Sequence, residues 1–281
     1  MQRTNYNQGK SATNQTKINV SVMLPGLLEL TAVDPDFPWD SIDRTFAETW
    51  AKKVAESGGE TFRVEASFFF MLLAALKDDS LAIGYVDYLN RTCQELSDHL
   101  TTEQKKMLGG ILKKILKTPN LNFLNFVGEL ATLNNLLKSN NYELQRIESP
   151  LNNDNSIDFR IKDLKTGNPI LVEVLNMQVN DDKVEADPKA IEAFFTRRLV
   201  KKIAAKEEEL AGTIDFWVVA VVWGGWRSIE IYRNHFREHQ LPLKRTIEPL
   251  AYLQHSDGRG YYMHQFGRIS TMRIVDGDTV P

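Results

Sequence analysis

Three acidic residues of this chain occur where the surrounding sequence is apolar. Glu129 falls inside the apolar stripe of a predicted helix that covers Phe123 to Leu137. Asp158 lies in the run Ile-Asp-Phe-Arg-Ile and Glu173 in the run Ile-Leu-Val-Glu-Val-Leu, and both runs are typical of β-strands. A carboxylate in such surroundings is costly unless it is paired, protonated or bound to a cation. Taken singly, each acid could instead reach water at the edge of its element.

Together, the three acids have the spacing of a cation site. Carboxylates on two neighbouring strands that a short turn connects can converge, and a third from the preceding helix can join them. Convergent carboxylates repel one another unless a hard divalent cation neutralises them. Mg²⁺ or Mn²⁺ held by Asp158 and Glu173, with help from Glu129, would polarise a phosphate and activate water. The pattern therefore predicts a metal site suited to phosphodiester hydrolysis.

The elements that must position these acids are predicted as helix, three strands, helix and strand. The first helix runs from Asn120 or Asn122 to about Ser139, and the later elements cover Tyr142–Glu148, Ile157–Ile161, Ile170–Leu175, Pro188 to Leu210, and Phe216–Trp223. A long helix between two strands implies a crossover connection and hence a mixed sheet. A further helix is predicted near Arg233–His239 and a strand or two near Tyr261–Ile274. The fold class is therefore α/β.

The first part of the chain has no alternating strand pattern. About four helices are predicted between Trp39 and Lys117, with starts at Asp40 or Ser41, at Asp79 or Ser80, and at Thr101–Thr102, and with Gly58–Gly59 ending the first. We expect a flexible tail at residues 1–18, an all-helical subdomain at 19–118 and an α/β domain at 119–281.

Composition restricts where the protein acts and what it binds. Among 281 residues the formal net charge is −3, so a surface for nucleic acid would have to be local. Cys93 is the single cysteine, which excludes an internal disulfide and fits a reducing cytosol. The apolar runs are too short to cross a bilayer. We expect a cytoplasmic protein without a membrane partner, and a homo-oligomer remains open.

The segment of about a hundred residues from Asn122 to Trp223 resembles the PD-(D/E)XK superfamily, also called restriction-endonuclease-like. The family core is helix, three strands, helix and strand, around a mixed sheet. In the resemblance, Glu129 in Val-Gly-Glu-Leu matches the helix acid, Asp158 the second-strand aspartate and Glu173 the third-strand acid. It implies a Mg²⁺- or Mn²⁺-dependent nuclease. As the nucleic-acid partner we favour DNA over RNA, a choice that the sequence itself does not decide.

Leu175 is the departure from the family pattern, because the position two residues after Glu173 should be lysine. In the family this basic residue sometimes moves to the following helix. Arg198 and Lys202, four residues apart on one helix face, are the candidate replacements.

The same helix supplies candidate nucleic-acid-binding residues, namely Arg197, Lys201 and Lys206. The alternative is a solvated helix face, in which case the protein is a catalytically inactive nuclease-fold binding or scaffold protein. Asn176 and Gln178 follow the motif and could assist in place of the lysine.

Other motifs support different chemistry. His235 and His239 match the H-x-x-E-H pattern of a zinc hydrolase, although a third ligand must come from elsewhere. Arg259, His264 and Arg268 alternate with aromatic residues, as in nucleic-acid stacking surfaces or in an ordinary twisted strand pair. The glycines of Trp-Gly-Gly-Trp at 223–226 allow either close approach of a ligand or a simple turn.

Overall fold

A computed structural model describes residues 14–56, 67–151, 156–210, 214–256 and 262–273. The helices in these ranges are α1 Gln15–Met23, α2 Pro25–Ala32, α3 Trp39–Glu56, α4 Phe68–Ala75, α5 Ser80–His99, α6 Thr102–Met107, α7 Gly109–Lys117, α8 Phe123–Leu137, α9 Pro188–Leu210 and α10 Trp226–Glu238. The strands are β1 Tyr142–Pro150, β2 Ser156–Asp163, β3 Pro169–Gln178, β4 Asp215–Gly224, β5 Leu250–Ser256 and β6 Tyr262–Arg268. The protein is therefore α/β, as predicted.

The six strands form one mixed sheet in the order β1 to β6. The pairs β1–β2, β2–β3 and β5–β6 are antiparallel, whereas β3–β4 and β4–β5 are parallel. Helix α9 makes the crossover from β3 to β4, and α10 makes the crossover from β4 to β5. The predicted order of helix, three strands, helix and strand, and the mixed sheet, are both observed.

Strand alternation divides the apolar residues between two cores, one on each face of the sheet. Val172 on β3 and Val219 on β4 pack with α1 to α5, α7 and α8 in the first core, which also contains Phe123. Leu171 and Val218, one position along their strands, pack with α9 and α10 in the second core. The helices that precede β1 therefore cover one face, and the two crossover helices cover the other.

The N-terminal helices differ from their expected bounds. The predicted tail overlaps α1, which starts at Gln15 because the Asn14 side chain accepts the Lys17 N–H at 3.1 Å. Residues 1–13, and the predicted stop at Gly58–Gly59, lie outside the described residues. Thr101 forms the expected capping box, but its helix ends at Met107 and a second begins at Gly109.

The last elements also extend beyond their predicted bounds. Helix α10 begins at Trp226, seven residues before the expected start at Arg233. Strand β5 had no predicted counterpart, while β6 falls within the stretch expected to hold a strand. Within the described ranges, none of the helices has the length and apolar character needed to cross a bilayer.

Candidate functional site

Asp158 lies where strands β2 and β3 separate. The pairing between these strands ends at Phe159, which lies opposite Val172. Beyond this pair, the Asp158 side chain accepts a hydrogen bond from the main chain of β3. Its Oδ2 accepts the N–H of Val174 at 2.6 Å. A charge-assisted bond of this kind fixes the carboxylate at the opening between the two strands.

Glu173 is on β3 and is buried on the sheet face that α9 covers. Its side chain is only 8% exposed, and its Oε1 accepts a hydrogen bond from the Lys202 ammonium of α9. Lys206 Nζ lies 3.9 Å from the other oxygen, Oε2, which is buried and accepts no hydrogen bond among the described residues. Two lysines on successive turns of α9 therefore compensate this carboxylate.

Glu129 is brought to the sheet by a close contact of helix α8 at Gly128. A Cβ at Gly128 would come within 2.0 Å of the Asn176 Oδ1 on β3, so only glycine allows this approach. The Asn176 amide is fixed there, because its Nδ2 donates to the Asn125 carbonyl at 3.1 Å and its Oδ1 accepts from Trp223 Nε1 at 2.7 Å. Asn176 thus serves in packing, and the acid next to Gly128 is half-buried beside Asp158.

The acids influence one another's protonation. Burial, and secondly the charge of Asp158, raise the pKa of Glu129 to about 8. Burial, and secondly the charge of Glu173, raise the pKa of Asp158 to about 6, against the lowering effect of the Val174 N–H and of Lys202. The three acids predicted from the sequence therefore belong to one electrostatic cluster.

Lys202 contacts Glu173, whereas Leu175 is apolar and lies on the same strand as that acid. Leu175 is half-buried against the apolar core on the α9 side, two residues along the strand from Glu173. Of the two candidate replacements, Lys202 contacts Glu173, whereas the Arg198 guanidinium lies 5.5 Å from the centre of the Phe194 ring. The predicted role of Arg198 beside the acids therefore has no contact to support it.

The predicted nucleic-acid-binding residues of α9 separate into two groups. Lys206 is buried and pairs with Glu209 at 3.2 Å as well as with Glu173, so its predicted contact with nucleic acid has no exposed side chain to support it. The helix packs this face on β3, which removes the side chain from solvent. Arg197 and Lys201 are exposed, and Arg197 lines a cavity of about 440 Å³ together with Arg198.

Two charged residues at the cluster were not singled out from the sequence. Glu148 on β1 has a positive φ of 47° and forms an ion pair with Lys114 on α7. The charge of Lys114 lowers the pKa of Glu129, while that of Glu148 raises it. No motif spacing connects these residues, because Lys114 belongs to the helical layer and meets β1 only through tertiary packing.

The donor set is partly suited to a metal ion. Asp158 and Glu173 offer hard carboxylate oxygens on adjacent strands, as Mg²⁺ prefers. The Glu173 Oε2 lacks a hydrogen bond, although it is buried. Within the described ranges, however, no group of three or more histidine, cysteine, aspartate or glutamate side chains is placed to hold a metal ion. The oxygen donors at this place are therefore two carboxylates on adjacent strands, one of which already pairs with Lys202 and Lys206, with Glu129 nearby.

The histidines of the H-x-x-E-H motif lie at the end of α10, on the same sheet face as α9. Their rings stack with centroids 4.5 Å apart, and His239 Nδ1 lies 3.0 Å from the His235 carbonyl oxygen. Burial, and secondly the charge of His239, lower the pKa of His235. In the part of the chain that the structure describes, no third zinc ligand joins them.

The group predicted from Arg259, His264 and Arg268 does not form a continuous surface among the described residues. His264 is buried, and its Nδ1 is hydrogen-bonded to the Tyr252 hydroxyl. Arg268 is exposed at the end of β6, while Arg259 lies outside the described residues. At Gly225 the close contact is with the chain itself, because a Cβ there would come within 2.2 Å of Asp181 Oδ2.

Comparison with known proteins adds no relative to this description. No protein-family model matches the chain, and neither a curated protein nor a solved structure matches it significantly. The functional interpretation of the acidic cluster therefore depends on its own geometry and chemistry.

Proposed function

We propose that this protein is a divalent-metal-dependent phosphodiester hydrolase of the PD-(D/E)XK type that acts on nucleic acid. The supporting observation is the hydrogen bond from Lys202 to Glu173, on the strand next to Asp158. An aspartate, a glutamate and a lysine are thereby gathered from β2, β3 and α9. The succession of α8, β1 to β3, α9 and β4 agrees with the family core in order and in its mixed sheet.

Asp158 and Glu173 are the residues that would hold Mg²⁺ or Mn²⁺, because their oxygens lie on adjacent strands at the acidic cluster. A cation bound there supplies positive charge to the phosphate and lowers the pKa of a bound water. The Val174 N–H holds the Asp158 carboxylate in place before substrate arrives. Such preorganisation lowers the cost of arranging charged groups in the transition state.

Glu129 and Lys202 supply the remaining functional groups. With a pKa of about 8, the Glu129 carboxyl keeps its proton at neutral pH and can exchange it with water or with a phosphate oxygen. The Lys202 side chain is 40% exposed, so its ammonium can reach a phosphate while it stays bonded to Glu173. It would stabilise the negative charge that develops on the phosphate.

The test is cleavage of a fluorescent oligonucleotide in Mn²⁺ by wild type and by the variants Lys202→Met and Asp158→Asn. We expect both variants to lose at least about 10²-fold in rate, the scale of removing one transition-state contact. Lys165→Met, on an exposed turn between β2 and β3, is the matched control and should leave the rate unchanged. Equal rates for wild type and Asp158→Asn would refute the proposal.

A second candidate function is that of a nuclease-fold binding protein that does not cleave its ligand. It is favoured by the pairing of Glu173 with two lysines. Lys202 and Lys206 both compensate this carboxylate, and Leu175 leaves its own strand without a cation. Calorimetric titration with Mn²⁺ separates the two candidates. A hydrolase binds Mn²⁺ in an Asp158-dependent manner, whereas a charge-neutralised scaffold binds none.

A further inference from the structure

The cavity that Arg197 and Arg198 line lies where β3 ends and α9 begins. Its volume is about 440 Å³, and its lining includes Gln178 at the end of β3 and Ala190 and Ile191 in the first turns of α9. The strand β3 is parallel to β4, and the cavity lies at the carboxyl end of β3 against the two crossover helices, with Phe194 of α9 and Tyr232 of α10 in its lining.

The basic residues of this cavity differ in their ion pairing from those farther along α9. Lys202 and Lys206 are paired with carboxylates, whereas within the described residues neither Arg197 nor Arg198 forms an ion pair. Lys183 adds a third positive charge to the lining, which contains one acidic residue, Glu185. The lining thus has more basic than acidic residues, on a chain whose net charge is −3.

One of these cations is held in position by an aromatic ring. The Arg198 guanidinium lies over Phe194 at 5.5 Å, and that ring stacks on Tyr232 at 6.1 Å and 22°. An arginine oriented in this way loses less rotamer freedom when it binds a phosphate through two hydrogen bonds. Val184 and Ile191 complete an apolar wall. The lining therefore suits a ligand that is anionic on one side and apolar on the other.

We propose that this cavity binds one unpaired nucleotide of a nucleic-acid strand, and that the substrate is consequently single-stranded. As a statement about substrate, this rests on the proposed function. Arg198 precedes Lys202 by one helical turn, about 6 Å along α9. A strand with one nucleotide in the cavity therefore presents a neighbouring phosphate to the acidic cluster. A base within a duplex must first unstack to enter, which costs a few kcal/mol.

Binding without cleavage tests the proposal. The anisotropy of a labelled single strand of roughly 12 nucleotides is measured in EDTA, beside the duplex of the same length. We expect the single strand to bind about 10-fold more tightly, and Arg198→Ala to weaken its binding about 10-fold. The salt slope should fall by about 0.7 in that variant, as for one lost phosphate contact on a single strand.

Arg91→Ala is the matched control, because Arg91 is an exposed arginine of α5 on the opposite face of the sheet. It should change binding less than about 2-fold. Phe194→Leu keeps an apolar side chain but removes the cation–π contact, and we expect it to weaken binding about 3-fold. Arg198→Ala binding the single strand as tightly as Arg91→Ala would overturn the proposal, as would equal affinity for duplex and single strand.

The two proposals fail in distinguishable ways. If wild type cleaves nothing but binds single strands through Arg198, the cavity assignment stands and the hydrolase is lost. If cleavage needs Asp158 and Lys202 while binding ignores Arg198, the hydrolase stands and the cavity assignment is lost.

Discussion

Glu173 and Glu129 belong to the same acidic cluster, but their electrostatic surroundings differ. Glu173 is bonded to Lys202 and lies 3.9 Å from the Lys206 ammonium. Glu129 comes from the mostly apolar helix α8, and burial is the main cause of its raised pKa. The comparison teaches that the electrostatic surroundings of each acid depend on the neighbouring helix: α9 brings two lysines to Glu173, whereas α8 places Glu129 among apolar residues. Residue type and spacing along the chain do not determine these surroundings.

The largest change in stability is expected from Gly128→Ala, next to Glu129. The added Cβ would meet the Asn176 amide at 2.0 Å, so either this amide leaves its two hydrogen bonds or α8 moves away from β3. We expect a loss of about 3 kcal/mol in the free energy of unfolding, the scale of overpacking combined with broken hydrogen bonds. Urea denaturation measures it. Gly110→Ala, where a Cβ meets nothing within 4 Å, is the control and should change stability by less than about 1 kcal/mol. Equal effects of the two changes would show that α8 does not depend on this contact.

Lys206→Met tests the pairing of Glu173 with its lysines. The change removes a buried ammonium and leaves the Glu173 carboxylate with one lysine fewer. Breaking a buried pair costs several kcal/mol, and Lys202 remains, so we expect a loss of about 2 kcal/mol at pH 7. The exposed neighbour Lys201→Met should stay within about 0.5 kcal/mol of wild type. If Lys206→Met is as stable as wild type, the pair with Glu173 contributes nothing.

Glu129→Gln tests the raised pKa of Glu129 through the pH dependence of stability. The folded pKa of Glu129, about 8, exceeds its ordinary value of 4.5, so the unfolded chain loses this proton first as pH rises. Its contribution to wild-type stability therefore falls from about pH 4.5 to about pH 8. We expect Glu129→Gln to match wild type near the lower pH and to exceed it by about 1–2 kcal/mol at the upper, since partial solvent access reduces the full linkage value. Parallel stability curves in urea would contradict a raised pKa.

Lys114→Met should have the smallest effect on stability. Lys114 and Glu148 are both about half exposed, so losing their ion pair should cost less than about 0.5 kcal/mol. The charge of Lys114 lowers the pKa of Glu129, and its removal should therefore shift that titration to higher pH. NMR detection of the Glu129 carboxyl carbon measures the shift. An unchanged or lowered midpoint would mean that Lys114 does not act on Glu129.

Periodicity and turn residues predicted the elements around the site, with the clearest apolar patterns in α8, β3 and β4. It could not choose between Arg198 and Lys202, because both lie on one face and the choice depends on how α9 crosses β3. The buried position of Lys206 was hidden for the same reason, within a run of charges that reads as solvated surface. Glu148 and Lys114 meet only through tertiary packing, which no local pattern encodes.

The ion pair between Lys114 and Glu148 makes α7, in the helical layer, an electrostatic neighbour of the sheet. Moving α7 away would withdraw positive potential from Glu129 and increase its affinity for a proton. Any ligand that shifts α7 therefore changes proton uptake at the acids, and by reciprocity the protonation of Glu129 changes the affinity for that ligand.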